Sequence, residues 1–358
     1  MMYQHGLMAT YREAWRRRGW VAWAVGGFFL AFYLTLYYTE WLTPVAAAVG
    51  LGNKWWLYGA LYCLAMVFGG VYFLKRHGNN RYQRLRTVSV ISVQILLAFT
   101  LPYTMSLFGQ KEFYFTYLWP LKIDYFYPGV IFDYPVLIAL YSFLGSLVLF
   151  PVLAFTLGKR FYCSWVCGCG GLAETMGDPW RHLSDKSTKA WRFEQVSIHA
   201  VMLLAFGTTA VVLLNWAVGP QYPTFSHIAF KVQEWYGFVV GAILSGIAGV
   251  VLYPLLGTRV WCRFFCPMAA ILGLVQKFGR FRITVKDNMC ISCGNCSTYC
   301  EMGIDVRSYA QSNQSFKRAS CVGCGMCAHV CPRGVLKLET KWDQPGDKSR
   351  QNLPVLDL

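Results

Sequence analysis

Cys290-Ile291-Ser292-Cys293-Gly294-Asn295-Cys296-Ser297-Thr298-Tyr299-Cys300 is followed by Cys321-Val322-Gly323-Cys324-Gly325-Met326-Cys327-Ala328-His329-Val330-Cys331-Pro332, the same cysteine spacing written twice. Three thiolates at close, even steps wrap one corner of a 4Fe–4S cubane, and the fourth, one residue further on, is directed to the other copy's cluster. The spacing therefore predicts two crossed sets. One cluster takes Cys290, Cys293, Cys296 and Cys331; the other takes Cys321, Cys324, Cys327 and Cys300. Gly294, Gly323 and Gly325 allow the tight turns such a loop needs and bring backbone N–H groups near the sulfurs. Zinc sites are built from two cysteine pairs, and eight cysteines in this doubled run are far more specific than that.

Around this core, Arg282–Lys286 and Val335–Glu339 alternate as strands do and could pair to bracket the clusters. The cluster domain is expected over 284–340, preceded by an amphipathic interfacial helix within 268–283 and followed by a polar tail, 341–358. Cys331 is followed by Pro332, but Cys300 is followed by Glu301. A carboxylate beside a cluster is expected to lower its reduction potential, since reduction adds negative charge.

Upstream, the chain changes character. Of its 358 residues, 56% are hydrophobic, 17% aromatic and only 14% charged, where soluble domains carry about 25% charged residues. Six apolar stretches are long enough to cross a bilayer: 20–40, 55–74, 87–108, 136–157, 195–218 and 237–256. The first is read as a retained span because it is too long for the core of a cleaved signal. The net charge of +16 is not spread as a nucleic-acid face. It is concentrated in alternate connections: Arg12, Arg16, Arg17 and Arg18 in 1–19; Lys75, Arg76, Arg81, Arg84 and Arg86; then Lys159, Arg160, Arg181, Lys186, Lys189 and Arg192. The positive-inside rule then places both termini and the cluster domain in the cytoplasm, on the inner membrane of a bacterium. The expected fold is mainly α: a six-helix membrane bundle over 20–267 with a small α+β two-cluster domain at its C-terminal end. The aromatic connection 109–135 reads as an interfacial belt.

A second cysteine group lies in the bundle. Cys163 and Cys167 follow the fourth span; Cys262 and Cys266, with Pro267, follow the sixth; Cys169 sits in a glycine-rich turn. Residues four apart share a helix face, so each pair could present two sulfurs together. Four such thiols could hold a further metal centre, act as a redox dithiol, or be reduced structural thiols. A disulfide framework is not expected on the reducing side of a membrane.

Several spans, two Cys-x3-Cys motifs placed just after spans, and a C-terminal double-cluster domain together resemble the NapH/NosR/CcoG group of membrane-bound polyferredoxins. The resemblance covers roughly residues 87–340 and rests on Cys262, Cys266 and Pro267 and on the eight C-terminal cysteines. The first Cys-x3-Cys copy departs from the family's Cys-Pro ending, with Gly168 after Cys167. The resemblance implies electron exchange with the quinone pool or with other redox subunits of a respiratory complex, as a quinol dehydrogenase component. Candidate proton acceptors for a quinol are Glu174, Asp178 and His182 on one side and Asp124, Asp133, His227 and Glu234 on the other. Solvated loop positions are the commoner fate of such residues. His199 lies within a span near its end, where packing or polar capping is its ordinary role. The alternative function is a copper or iron reductase or assembly factor working through the bundle thiols. Lys286, Arg307, Lys317, Arg318, Arg333 and Lys337 around the clusters could steer an acidic partner or face anionic headgroups.

Overall fold

The computed structural model describes residues 19–341; the basic segment 1–18 and the tail 342–358 lie outside them. Six apolar helices are long enough to cross a bilayer: α1 (Gly19–Tyr38), α2 (Lys54–His77), α3 (Arg81–Leu107), α4 (Val136–Leu157), α5 (Thr188–Val218) and α6 (Pro223–Val251). At 1.5 Å per residue even the shortest, of 20 residues, covers about the 30 Å of a hydrocarbon core. Their outward faces carry large apolar side chains, among them Phe68, Leu137, Val196 and Leu203. The chain is a multi-pass membrane protein.

Helix starts differ from the hydropathy reading, for local reasons. Asn80 caps α3, accepting from the Tyr82 N–H at 2.9 Å, so the helix begins at Arg81 and includes Arg86. Ser187 caps α5 through the Ala190 N–H at 3.1 Å, ahead of residue 195. Pro223 opens α6, well before residue 237. Its missing N–H costs nothing in a first turn.

Two connections descend into the bundle instead of lying over it. The aromatic connection 109–135 folds on itself, with Phe113 stacked on Tyr125 at 4.3 Å between ring centroids and both fully buried. Its inner part reaches between helices: the Trp119 indole N–H donates to Thr209 on α5 at 2.9 Å, and the Tyr162 hydroxyl donates to the Thr116 carbonyl at 2.7 Å. The interfacial-belt reading thus fails for this inner part, although Phe132 remains at an exposed rim. From the opposite face, two short helices, Arg160–Trp165 and Gly168–Glu174, enter to meet the middle of α2 and α3. Irregular backbone at this depth is tolerable because protein, not lipid, surrounds it.

After α6 comes the amphipathic helix α7 (Pro267–Phe278). Strands β1 (Phe281–Val285) and β2 (Leu336–Thr340) pair antiparallel, Phe281 opposite Thr340 and Val285 opposite Leu336. The cysteine-rich loops lie between them.

The entering segment depends on glycine where backbones meet. A Cβ at Gly69 of α2 would stand 2.5 Å from the Met176 nitrogen and 2.8 Å from the Thr175 carbonyl carbon, both backbone atoms. Gly207 of α5 has nothing within 4 Å. Gly69→Ala should therefore destabilise the detergent-solubilised protein by about 1–3 kcal/mol in thermal unfolding, the usual cost of overpacking. Gly207→Ala should be neutral or gain up to about 1 kcal/mol from helix propensity. Equal effects would mean that the segment does not pack on α2.

Candidate iron–sulfur centres

Each cysteine loop passes through a left-handed glycine and then one helical turn. Gly294 (φ 81°) precedes Asn295–Thr298, and Gly325 (φ 74°) precedes Met326–His329. The repeat brings the cysteines together in crossed groups. One cavity is lined by Cys290, Cys293, Cys296 and Cys331. A second is lined by Cys300, Cys321, Cys324 and Cys327. Among the described residues, no three Cys, His, Asp or Glu side chains converge closely enough for a single metal ion. A cavity rimmed by four spread sulfurs suits a cubane, not a lone zinc ion. Burial pushes the Cys321 thiol up to about 12 and that of Cys296 up to about 11. Iron must displace those protons, so loading the loops releases them.

The two cavities face different surroundings. The second is pressed on the end of the bundle, whose side chains hydrogen-bond its backbone. The Tyr82 hydroxyl donates to the Gly323 carbonyl at 2.7 Å and the Gln83 amide to the Cys324 carbonyl at 3.0 Å. Ser164 donates to the Val322 carbonyl at 2.7 Å, and Gln276 of α7 to the Cys321 carbonyl at 3.0 Å. The first cavity lies on the far side of the domain, where Cys293 and Ile291 are exposed, beside exposed Lys286, Arg333 and Lys337.

Between bundle and cluster domain lies a buried set of charges. Glu301 stands 3.1 Å from Arg181 and 3.0 Å from Arg259. Arg86 pairs with Glu174, and Asp178 pairs with Arg181 and Arg76, each at 3.2 Å. Arg86, Arg181, Arg259, Glu174 and Glu301 are essentially inaccessible. Burial alone would raise the Glu301 carboxyl, but the guanidiniums of Arg181, Arg259 and Arg86 outweigh it and hold its pKa at about 2. Burial raises the Glu174 carboxyl, and Arg86 only partly offsets that. The carboxylate after Cys300 is thus not an isolated negative charge. Three buried guanidiniums surround it, and Arg181 and Arg259 pair with it directly.

Of the candidate proton acceptors, Glu174 and Asp178 are buried and ion-paired rather than solvated, while His182 is exposed. On the other face Gln233 donates to Asp124, Asp133 pairs with Lys111 at 2.6 Å, and His227 and Glu234 are exposed. His199 contacts the Gln195 carbonyl of its own helix. Sequence reading missed Arg86, Arg181 and Arg259 as interior residues. They were counted among charges flanking spans, or not singled out at all, and only the Asn80 cap signalled that Arg86 belongs inside α3.

The bundle cysteines do not sit as helix-face pairs. Cys163 lies within Arg160–Trp165, but Cys167 is the residue before Gly168–Glu174; likewise Cys266 leaves the Trp261–Phe265 turn and precedes α7. In each copy the chain breaks between the two sulfurs. Cys163, Cys167, Cys262 and Cys266 are all buried, and Cys169 is partly so. The Arg259 guanidinium donates to the Cys163 carbonyl at 3.0 Å, which ties this group to Glu301. The departure from Cys-Pro in the first copy has a steric cause. A Cβ at Gly168 would lie 2.5 Å from the Tyr62 hydroxyl, 2.6 Å from the Gln94 side-chain oxygen and 2.9 Å from the Tyr117 hydroxyl, so a larger residue, proline included, would have to displace these polar ends.

Removing one partner of a buried pair costs about 3–5 kcal/mol. Glu301→Gln should show a loss of that size in thermal unfolding. A change below about 0.5 kcal/mol would mean that the carboxylate is solvated and the domain held by other contacts.

Comparison with known proteins agrees with this geometry. The 4Fe-4S dicluster domain family matches residues 283–338. A second family, the 4Fe-4S binding domain, matches twice, over 139–188 and 239–286, each match spanning one Cys-x3-Cys copy. YccM of Escherichia coli (strain K12) is 29% identical over 171 residues, 46% of this chain and 47% of that protein. The methylamine utilization ferredoxin-type protein MauN of Paracoccus denitrificans (strain Pd 1222) is 27% identical over 145 residues, 40% of this chain and 48% of MauN. The ferredoxin-type protein NapH of Escherichia coli (strain K12) is 26% identical over 175 residues, 48% of this chain and 58% of NapH. The chain thus spans about half the length of these curated relatives. No solved structure matches it. With its paired cysteine loops behind six membrane spans, the chain is a multi-pass membrane protein carrying 4Fe-4S domains and is similar to the NapH/NosR-like polyferredoxins.

Proposed function

We propose that this chain relays electrons between the quinone pool, or redox subunits beside it in the membrane, and a partner that docks on the exposed end of its cluster domain, as part of a respiratory chain. The observation that carries the reading is the polarity of the two cavities. The one lined by Cys300, Cys321, Cys324 and Cys327 is held by α3 and α7, and the one lined by Cys290, Cys293, Cys296 and Cys331 opens outward. A 4Fe–4S cluster, when bound, takes up and gives back one electron, and two in series connect a membrane face to a surface. The chain's own residues do the rest. The crossed cysteines fix the clusters side by side, Arg181 and Arg259 favour added negative charge on the bundle side, and the hydrogen bonds of Gln83, Tyr82, Ser164 and Gln276 exclude water from the junction. Exposed Lys286, Arg333 and Lys337 offer an acidic partner an oriented approach.

The basic connections that flank α2, α3 and α5 on its side support a cytoplasmic cluster domain. The family match across both Cys-x3-Cys copies supports a redox role for Cys163, Cys167, Cys262 and Cys266. They extend the sulfur-rich path from the bundle interior, where Gly168 meets Gln94. That level is roughly 16 Å, or three turns of α3, beyond Gln83. They are read as redox thiols, and an iron count above the eight of the two C-terminal cubanes would place a further centre among them.

Two measurements on anaerobically purified protein test this. Iron and acid-labile sulfide should each count eight per chain, as two four-iron cubanes require. Cys300→Ser should remove the same EPR signal as Cys324→Ser, leaving the signal lost in Cys293→Ser intact. If Cys300→Ser instead behaved like Cys293→Ser, the crossing would be wrong. If the clusters were reduced by dithionite but neither by a quinol analogue nor by redox subunits in native membranes, the relay reading would fail.

A further inference from the structure

A third cavity, about 520 Å³ including its mouth, lies where the start of α5, α7 and the turn 318–320 meet. Its apolar walls include Trp191, Ile198 and Leu274; its polar wall is basic, with Lys159, Lys277 and Arg318. The acid that lines it, Glu194, is already held by Arg263 at 2.7 Å.

Lys159 is the informative residue. It is only 2% exposed, yet among the described residues no carboxylate pairs with its ammonium and no acceptor hydrogen-bonds it. Its backbone N–H is satisfied by Gln276 at 2.7 Å, so the residue is well placed while its charge is not. The Cys163 and Cys321 sulfurs lie near enough for the ammonium to favour their thiolates, but neither is a bonded partner. A buried ammonium with no bonded partner is costly, and with Arg318 and Lys277 lining the same cavity its wall is positive and favours an anion.

The surroundings add a second requirement. Near the mouth, Phe193, Val196 and Leu203 on α5 and Phe278 at the end of α7 are 53%, 72%, 67% and 71% exposed. These side chains face lipid, so the cavity opens at the headgroup level of the leaflet on the cluster-domain side. An occupant with an anionic head and apolar tails meets both requirements. We propose that the cavity binds the phosphate of an anionic phospholipid, with Lys159 as its central contact, Arg318 and Lys277 at the rim, and acyl chains laid along α5. Basic pockets at helix junctions take anionic lipid headgroups on these grounds. A zwitterionic lipid would bring its own cation to a wall whose lining acid, Glu194, is already held by Arg263, and a neutral ligand would offer the Lys159 ammonium no bonded anion. Because α5, α7 and the residues before Cys321 all line the cavity, the bound lipid would brace the cluster domain against the bundle. The inference needs only the membrane setting and stands apart from the direction or donor of electron flow.

Native mass spectrometry and thermal unfolding of the full chain in a neutral detergent test it, with phosphatidylglycerol, phosphatidylcholine or inorganic phosphate added. Phosphatidylglycerol should be retained and raise Tm, while the other two do neither. Lys159→Gln should bind phosphatidylglycerol about tenfold more weakly, the loss of one charge-assisted contact. Arg318→Gln, at the more exposed rim, serves as the second variant, and iron content checks that both fold. Equal retention of the two lipids, undiminished binding by both variants, or a Tm rise with inorganic phosphate alone would each overturn the assignment.

Discussion

The contact on which this architecture depends is Glu301 held between Arg181 and Arg259. Each arginine comes from a different part of the bundle, one from the segment after α4 and the other from the segment after α6. The carboxylate belongs to the cluster domain and directly follows a cysteine of the bundle-side cavity. Three pieces of chain that are far apart in sequence therefore meet at one buried set of charges. Such charges contribute little net stability compared with apolar packing, because desolvation offsets their attraction. Their value is geometric. Any rearrangement that separates them leaves an uncompensated ion in a dry interior, so the domain has one seating on the bundle and not several.

That seating explains the odd backbone of the membrane part. A straight six-helix bundle would offer the clusters only a flat end. Here Arg160–Trp165 and Gly168–Glu174 enter from the cluster side and the aromatic connection enters from the other, so the interior is filled with folded, hydrogen-bonded chain. Glu174 reaches the junction from the second of these helices, and Arg259 from the segment after α6. Glycine is used where they touch the helices: at Gly69 and Gly168 a single added carbon would strike backbone or buried hydroxyls. The two Cys-x3-Cys copies share one structural role, a chain break between sulfurs followed by a new helix. Proline supplies that break where there is room, and glycine where there is not.

Much of this was legible in the residues. The cysteine spacing foretold which four sulfurs share each cavity, because the pattern is local and its geometry is short-range. Six apolar runs foretold six helices, because bilayer thickness sets their length. Alternation in 282–286 and 335–339 foretold the pair β1 and β2. What could not be read were contacts made across the fold. Arg86, Arg181 and Arg259 look like other basic residues near span ends, and only their partners distinguish an interior guanidinium from a solvated one. Hydropathy placed the start of α6 late because its first turns carry polar Gln233 and Glu234 among apolar residues. The aromatic connection was read as a belt because composition reports affinity for an interface, not whether the segment also folds inward.

The same limit applies to Glu301, and there it changes the chemistry. Beside a cluster, a lone carboxylate opposes reduction; a carboxylate enclosed by guanidiniums does not. Burial and then the Glu301 carboxylate push the Cys324 thiol up to about 11, and Arg86 and Arg181 only partly offset them. The charges that clamp the domain and the charges that a bundle-side cluster would feel are thus the same set of residues. Domain docking and electron affinity cannot be varied separately here: a substitution that loosened the seat would also alter the field at Cys324. The far cavity, lined by Cys290, Cys293, Cys296 and Cys331, has Arg307 and Arg333 on its wall and no carboxylate among the described residues, whereas the bundle-side cavity has Glu301 on its wall with the arginines behind that carboxylate. Two chemically equivalent sets of four sulfurs are therefore placed in different surroundings, one paired to the bundle through a buried ion network and the other open toward solvent.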